Sequence, residues 1–158
     1  MSTFKMLKTS DLEQLLSGNP LFQGVHACDS IPPPKGVAAA AFVVNTDPRN
    51  EPGEHWIALI VKKNKAIYFD PFGFPPLVPQ IQAYLTAHAS QGIKYSAATL
   101  QQPGASTCGW WCVAFVNLYS KGFTLKRFLS LFSKSLTENE RRLVLLLGGL
   151  QHDSDNQV

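Results

Sequence analysis

The chain has 158 residues, of which 45% are hydrophobic and 16% are charged, and its formal net charge is +3. This length and composition fit one globular domain with enough residues for a sizeable hydrophobic core. The net positive charge is small, and the sequence has no run of basic residues beyond Lys62-Lys63-Asn64-Lys65. This pattern argues against a dedicated nucleic-acid surface and leaves only weak, non-specific attraction to DNA or RNA.

Cysteine usage and hydropathy bound the environment of the protein. The three cysteines, Cys28, Cys108 and Cys112, are too few and odd in number for a disulfide scaffold, so they suit a reducing compartment. Residues 1–10 lack the apolar core of a signal peptide, and the most apolar window, residues 143–150, is too short to span a bilayer. We expect a soluble, intracellular monomer without a membrane partner.

The first 46 residues predict a short helix, an irregular segment and a strand. Ser10 and Glu13 have the spacing of a capping box, which predicts a helix over residues 11–17 that ends before Gly18 and Pro20. Residues 21–35 are predicted to be irregular, because the three prolines at 32–34 remove backbone donors and force an extended chain. Residues 37–46 are apolar and β-branched toward their end, which predicts a buried strand.

A β-hairpin is predicted at residues 55–69. Residues 55–61 and 66–69 have strand patterns, and the charged stretch 62–65 between them is the expected tip. A two-residue turn there would place His55 opposite Asp70 or a near neighbour. Opposed side chains share one face of a hairpin with Cβ atoms ~5 Å apart. An imidazole and a carboxylate are therefore expected to meet at the open end of the hairpin.

The second half of the chain predicts mainly helices. Residues 79–89 form a surface helix and residues 94–100 a strand, followed by a Gly/Pro loop and a buried apolar helix over 110–119. An apolar stripe over 124–134 and a capping-box pattern before a segment over 137–147 predict two more helices, the last of them capped by Gly148-Gly149. We place one domain at residues 1–150 and a polar, disordered tail at residues 151–158.

Cys108 falls where the Gly/Pro loop meets the apolar helix. The unpaired N–H groups and the dipole of a helix N-terminus favour a thiolate, the nucleophilic form of cysteine, and can also bind an oxyanion. Each of these residues also has a simpler explanation when it is considered alone. A cysteine in an apolar stretch is more often an inert core residue, a histidine at a strand end such as His55 more often has no catalytic role, and an aspartate before a proline such as Asp70 commonly opens a turn. Their joint occurrence predicts a triad with sulfur as nucleophile, His55 as base and Asp70 as orienting acid. Cys112, one helical turn further, is predicted to be core.

These residues occur within motifs that resemble the adenovirus-type cysteine protease (adenain), a member of the ubiquitin-like-protein protease group. The motifs are Gly53-Glu54-His55-Trp56-Ile57-Ala58, Tyr68-Phe69-Asp70-Pro71-Phe72-Gly73-Phe74, and Gln101-Gln102-Pro103 through Cys108-Gly109-Trp110-Trp111-Cys112. Similarity in the segments around Leu21–Val25, Cys28-Asp29 and Ala41–Thr46 extends the likeness over about residues 7–121. The chain order His, acid, Gln, Cys is its specific part, because papain-like enzymes place Cys before His. The chain resembles a compact viral or virus-like-element relative of that protease.

The resemblance implies an α+β fold. Its cysteine-protease core has a mixed central β-sheet packed against a central helix, which carries the nucleophile at its N-terminus, and further helices flank the core. Cys108 would be the nucleophile, His55 the base and Asp70 the third member of the triad.

The resemblance also implies an oxyanion-binding glutamine and aromatic walls for the substrate site. An alignment without gaps up to Cys108 selects Gln101, whereas the shorter spacing of ubiquitin-like-protein proteases selects Gln102; we favour Gln101. Trp56 and Trp110 would bind substrate by walling a narrow tunnel.

The sequence does not support the activating cofactors of the adenovirus enzyme. The adenovirus enzyme is activated by DNA and by a viral peptide that a disulfide holds to a cysteine between the acid and the nucleophile, but this chain has no cysteine between Cys28 and Cys108. We therefore expect no required cofactor: a covalent activating peptide and DNA are not supported, and a non-covalent peptide stays open. Cys108 and Cys112 with one further cysteine make a poor zinc pattern, so no metal is expected.

The function that follows is a cysteine endopeptidase that cleaves viral precursor proteins after small, Gly-Gly-like residues during virion maturation, in the host nucleus and the virion. One alternative is a deubiquitinase- or deSUMOylase-like isopeptidase, and another is a catalytically silent protein-binding module on the same fold. The stretch Leu146-Leu147-Gly148-Gly149-Leu150 fits a Gly-Gly preference. Self-cleavage after Gly149 is therefore a hypothesis, although a helix C-cap explains the two glycines more simply.

Overall fold

A computed structural model describes residues 4–36, 38–51 and 55–155 of the chain. Its elements, in chain order, are α1 (Thr9–Leu16), β1 (Phe22–Ala27), β2 (Ala40–Asn45), β3 (Trp56–Lys62), β4 (Lys65–Phe69), α2 (Pro79–His88), β5 (Ile93–Tyr95), α3 (Cys108–Ser120), α4 (Leu125–Leu129) and α5 (Leu136–Asp155). The five strands form one mixed sheet in the order β1-β2-β3-β4-β5. The outer pairs, β1–β2 and β4–β5, are parallel and the inner pairs are antiparallel. The predicted α+β class with a mixed central sheet is confirmed.

The β3–β4 hairpin has the predicted tip. Lys63 and Asn64 both have positive φ, at 51° and 62°, which is the backbone of a two-residue type I′ turn. That turn sets the register, in which Lys62 faces Lys65 and Ala58 faces Phe69. The open end of the hairpin therefore lies just beyond Phe69, beside the two loops that continue the strands.

Both faces of the central strands are covered. On one face, alternate residues such as Val43 and Ile60 pack with α3, and Phe69 stacks on Phe115 of that helix at a centroid distance of 4.7 Å. On the other face, their neighbours, including Phe42 and Leu59, form a second core cluster with α2. Helix α3 is itself almost fully buried, because α1, α4 and α5 contact it around the side away from the sheet.

The structure differs from the sequence prediction in the first third of the chain. Residues 22–27 form strand β1, where the sequence predicted irregular chain, and Gly24 with φ 122° sits at a register shift in its pairing with β2. The predicted capping box at Ser10 and Glu13 is also wrong. Helix α1 begins at Thr9, so Ser10 lies inside the first turn, and the Asp11 carboxylate accepts the Lys8 backbone N–H at 2.9 Å.

The C-terminal half differs at element ends. Strand β5 covers two residues of the predicted 94–100 strand and begins one residue before it, and α4 covers five residues of the predicted 124–134 helix. Helix α5 continues through Gly148 and Gly149 to Asp155, so these glycines are not its C-cap, and cleavage there would require local unwinding. Leu143 is buried and Leu146 and Leu147 pack against the core, which offsets the cost of about 1 kcal/mol that a glycine adds to a helix interior. Residues 151–155 of the predicted tail belong to α5, and residues 156–158 lie outside the described ranges.

Candidate active site

His55 and Asp70 meet at the open end of the β3–β4 hairpin, as the sequence predicted. Continuing the hairpin register would place Phe72 directly opposite His55, so the imidazole reaches Asp70 diagonally. His55 Nε2 lies 2.8 Å from Asp70 Oδ1. Because an ionised carboxylate only accepts hydrogen bonds, Nε2 donates to it, and Nδ1 is the ring nitrogen left for another partner.

The Asp70 carboxylate is held in place by its own loop. Only 4% of Asp70 is exposed, and its Oδ1 also accepts the backbone N–H of Phe72 at 2.8 Å. The Asp70 N–H donates to the hydroxyl of Ser96, and that hydroxyl donates back to the Asp70 carbonyl, both at 3.2 Å. Ser96 is fully buried, and no sequence motif distinguishes it, so this support was missed.

The surroundings of His55 favour its charged form. Burial by itself would lower the pKa of His55, but the hydrogen bonds to Asp70 and Cys108, together with their negative charge, outweigh that effect and raise the pKa of His55 to about 9. The ring of Phe72 stacks on the imidazole at a centroid distance of 4.8 Å and fixes its plane. The imidazole therefore stays protonated through neutral pH, held between a carboxylate and a cysteine.

Cys108 is the first residue of α3, as the sequence predicted, and 7% of it is exposed. The N–H groups of the first helical turn have no intrahelical partners, so this end of α3 carries partial positive charge at the cysteine. Cys112 lies one turn further and is fully buried, and burial raises the pKa of its thiol well above the ordinary value. The two cysteines of one helix face thus have different surroundings, because Cys108 lines a cleft and Cys112 lies in the core.

The two candidate glutamines have different environments. Gln101 is 1% exposed and lines the cleft that contains His55 and Cys108, and its Nε2 donates to the Ala105 carbonyl at 2.6 Å. The second hydrogen of that amide is available to a group in the cleft. Gln102 instead donates to Thr137 Oγ1 at 3.0 Å on the outer side of the loop. The geometry favours Gln101 over Gln102 for contact with a bound carbonyl.

The loop that carries Gln101 is tied to two other elements. The Pro71 carbonyl, next to Asp70, accepts the backbone N–H groups of Leu100 and Gln101 at 2.8 and 3.1 Å. At the other end of the loop, Thr107 Oγ1 donates to Glu140 Oε1 of α5 at 3.0 Å. The acid, the glutamine and the start of α3 are therefore connected through short hydrogen bonds.

These side chains line one open cleft of about 1000 Å³. Its lining includes residues 6–9 at the start of α1, the end of β1 and part of the β2–β3 loop, with Arg49 and Glu51. His55, Phe72, Gln101 and Cys108 line the same cleft. This volume lies at the upper end of the range of ligand-binding clefts.

The two tryptophans that the sequence predicts as substrate-binding walls occupy different places. Trp56 lines the cleft, and its indole N–H donates to the Leu7 carbonyl at 3.0 Å. Trp110 is not among the described residues that line the cleft. Its indole packs against Phe4 and donates to the Lys5 carbonyl at 2.9 Å, because position 110 of α3 faces the N-terminal segment. A direct substrate contact by Trp110 is therefore not supported by its position.

Comparison with other proteins gives no match among protein-family models or curated proteins. Among solved structures, ChlaDub1 from Chlamydia trachomatis superposes with a TM-score of 0.51 at 19% identity over 70% of this chain. The chain therefore shares its overall α+β fold with ChlaDub1. At this identity the likeness concerns the fold, and it does not single out the adenovirus type.

Two other solved structures are similar at lower scores. The ASFV pS273R protease has a TM-score of 0.41 at 20% identity over 66% of this chain, and the SUMO protease Ulp1 has 0.36 at 16% over 70%. The chain covers 58% of ChlaDub1, 43% of the ASFV protease and 53% of Ulp1, so it spans roughly half of each.

Two further observations concern the described ranges. No helix in them is long and apolar enough to cross a membrane. No three His, Cys, Asp or Glu side chains in them come together as a metal site would require.

Cys28, Cys108 and Cys112 are all free thiols. Residues Gly53 and Glu54 of the His55 motif lie outside the described ranges.

Proposed function

We propose that this protein is a cysteine peptidase in which Cys108 attacks a carbonyl carbon, with His55, Asp70 and Gln101 in supporting roles. The observation that carries the proposal is the hydrogen-bonded pair of His55 and Asp70 beside a cysteine at a helix N-terminus, with His55 and Cys108 both lining one open cleft. The protease fold supports it further, since the fold of ChlaDub1 has this overall architecture.

The chemistry follows from the positions of the polar atoms. The Cys108 thiolate adds to the carbonyl carbon, and the Gln101 amide with the Cys108 N–H binds the oxyanion that forms. His55 Nδ1 gives its proton to the departing amine, which leaves an acyl-cysteine thioester. The neutral imidazole then takes a proton from water as the water attacks the thioester, and the carboxylic acid leaves. Asp70 holds the imidazole by Nε2 throughout and stabilises its charge.

Two classes of substrate fit this chemistry, because a peptide and an isopeptide bond present the same acyl group. The motif resemblance supports the first class, viral precursor proteins cut after Gly-Gly-like sites during virion maturation in the host nucleus and the virion. An isopeptidase that removes ubiquitin or a related modifier fits the site equally well. Neither an activating peptide nor nucleic acid is part of this proposal.

The first experiment measures inactivation by iodoacetamide from pH 5 to pH 9, with the labelled residue located by mass spectrometry. We expect Cys108 to be labelled rapidly below pH 7 and to lose that rapid reaction in His55→Ala, because the imidazolium stabilises the thiolate. Labelling that rises only near the ordinary thiol pKa of ~8.5 would contradict the proposed ion pair. A protein with no reactive Cys108 would instead fit the silent binding module.

A second assay separates the two substrate classes. A modifier carrying a C-terminal fluorophore and a short Gly-Gly peptide with the same fluorophore are compared at equal concentration, with Cys108→Ala as the blank. Preference for the peptide supports precursor processing, since a short segment then suffices for recognition. A large preference for the modifier supports the isopeptidase.

A further inference from the structure

Helix α3 lacks the side-chain cap that its sequence would allow. Thr107 occupies the N-cap position, where a threonine hydroxyl usually accepts the backbone N–H of the second or third helical residue, here Gly109 or Trp110. The Thr107 backbone, at φ −101° and ψ 3°, is not in the extended conformation typical of a capping residue, and its side chain makes no cap bond. Within the described part of the chain, the N–H groups of Gly109 and Trp110 therefore have no hydrogen-bond acceptor.

The Thr107 hydroxyl binds α5 instead. It donates to Glu140 Oε1 at 3.0 Å, and Thr107 is 2% exposed. The other oxygen of that carboxylate is buried without a partner among the described residues. A buried carboxylate oxygen without a hydrogen bond costs free energy, so the position of Glu140 calls for an explanation beyond stability.

Glu140 is held in place by its neighbours on α5. The side chain of Asn139, which is fully buried, accepts the Ser133 N–H and donates to the Ser133 carbonyl, both at 2.8 Å. Leu143, about one turn further along α5, lies in the core cluster that contains most of α3. The carboxylate is therefore fixed relative to α3, and the Thr107 hydroxyl meets an acceptor that does not depend on the loop itself.

The unpaired N–H groups lie beside the nucleophile. Cys108 is the first residue of α3 and directly precedes Gly109 and Trp110. Free N–H groups at a helix N-terminus carry partial positive charge, which favours an adjacent thiolate and a developing oxyanion. A threonine oxygen that accepted one of them would compete with the thiolate for that charge.

We propose that Glu140 is a positioning residue, which holds the Thr107 hydroxyl away from α3 and so keeps the N–H groups of the first turn free for the Cys108 thiolate. This inference rests on the proposed peptidase function, and Glu140 acts in it through Thr107 without touching the reacting atoms. When the carboxylate is removed, the hydroxyl turns to Gly109 or Trp110 and caps the helix. The effect of charge alone has the opposite sign, because a negative charge near Cys108 disfavours the thiolate and its loss would make Cys108 more reactive.

The test compares the rates at which iodoacetamide labels Cys108 at pH 6.5 and at pH 9.5 in the full chain, with the labelled residue located by mass spectrometry. Glu140→Leu removes the acceptor and keeps the bulk, Glu140→Gln keeps an acceptor and removes the charge, and Thr107→Val with Glu140→Leu removes the hydroxyl as well. Glu138→Leu is the matched control, because Glu138 lies on the same turn of α5 and its carboxylate faces Arg141 and Arg142. Circular dichroism checks the fold of each variant, and Glu140→Ala repeats the test without a bulky side chain.

We expect Glu140→Leu to lower the labelling rate at pH 6.5 by about 10-fold, the size of a favourable interaction with a helix end, and to change the rate at pH 9.5 little. Glu140→Gln should retain most of the rate at pH 6.5, and the double variant should regain it, because no hydroxyl remains to cap α3. The Glu138→Leu rate should equal that of the unchanged chain.

Three outcomes would overturn the role of Glu140 while leaving the peptidase intact: an unchanged or raised rate in Glu140→Leu, a loss in Glu140→Gln as large as in Glu140→Leu, or a double variant as slow as Glu140→Leu. The last result would mean that Glu140 supports the loop in general and does not act on the Thr107 hydroxyl. An unchanged chain in which Cys108 reacts no faster than free cysteine at pH 6.5 would instead overturn the proposed function, and this inference with it.

Discussion

The protonation of His55 is decided by neighbours from three parts of the chain. Burial disfavours an imidazolium, but a carboxylate at 2.8 Å on Nε2 and the cysteine of α3 favour it more strongly. Phe72 covers one face of the ring and its backbone N–H shares the Asp70 oxygen with the imidazole. The ring is therefore fixed in both orientation and charge before any substrate binds.

That charge predicts the pH dependence of turnover. The pKa of His55 is raised from 6.5 to about 9, so the cation that protonates the leaving amine persists through neutral pH and is lost as pH rises through about 9. We expect kcat/KM to fall on the alkaline side with a midpoint near 9. In Asp70→Asn, which removes one of the groups that raise this pKa, the midpoint should move to lower pH.

The same variants check the assignment of roles. Asp70→Asn should retain more activity than His55→Ala, because the acid orients the imidazole and does not transfer the proton. Cys108→Ala should have no turnover while its circular dichroism stays that of the unchanged chain. An alkaline midpoint that stays near 9 in Asp70→Asn, or a loss of activity as deep as in His55→Ala, would contradict these roles.

The glutamine pair gives a second prediction at this scale. Gln101→Ala should lower kcat by about 10²–10³-fold, the usual cost of removing one oxyanion donor, and Gln102→Ala should have little effect. Gln102 is the matched control, because it is the adjacent residue of the same type and its amide binds Thr137 outside the cleft. Equal losses in the two variants would indicate that the loop conformation, rather than the Gln101 amide, matters.

At the scale of elements, the start of α3 depends on α5. Thr107, the residue before the nucleophile, is 2% exposed and donates to Glu140, and the second oxygen of that carboxylate is buried without a partner among the described residues. Asn139, fully buried beside it, binds the Ser133 backbone and holds the first turn of α5. A C-terminal helix thus sets the position of the catalytic loop.

This contact predicts a loss of stability when it is broken. Thr107→Val keeps the side-chain shape but leaves the Glu140 carboxylate with neither oxygen bonded, which should lower the free energy of unfolding by about 1–3 kcal/mol. Thr137→Val removes the more exposed bond to Gln102 and should cost under about 1 kcal/mol. Urea denaturation of the two variants measures the difference, and equal costs would mean that the Thr107 bond contributes no more than a surface contact.

At the scale of the whole molecule, the site joins the sheet to the helix packed on one of its faces. The hairpin supplies His55 and Asp70, the opposing helix supplies Cys108, and the loop between β5 and α3 supplies Gln101. The sheet is covered on both faces, so its strands are held rigidly. Of these side chains, His55, Gln101 and Cys108 line the open cleft, and Asp70 supports His55 from behind its ring nitrogen.

Local chemistry explains which features the sequence predicted correctly. The hairpin, a helix with Cys108 near its start and the meeting of His55 with Asp70 all follow from signals within a few residues: a turn within a charged stretch, a Gly/Pro loop before an apolar run, and the period of a strand. The helix itself begins two residues earlier than the predicted 110–119. Each of these signals lies within one short window of the sequence.

The features that only the tertiary structure decided depend on contacts between distant segments. Strand β1 forms because β2 offers it a parallel partner, and helix α5 continues past Gly148-Gly149 because its leucines pack on the core around α3. Trp110 faces the chain before α1 because Phe4 and Lys5 return to α3. No short window of sequence contains such pairings. The amino-acid sequence alone thus determined the candidate chemistry, and long-range packing decided the shape of the cleft in which that chemistry would act, since burial depends on which segments meet in space.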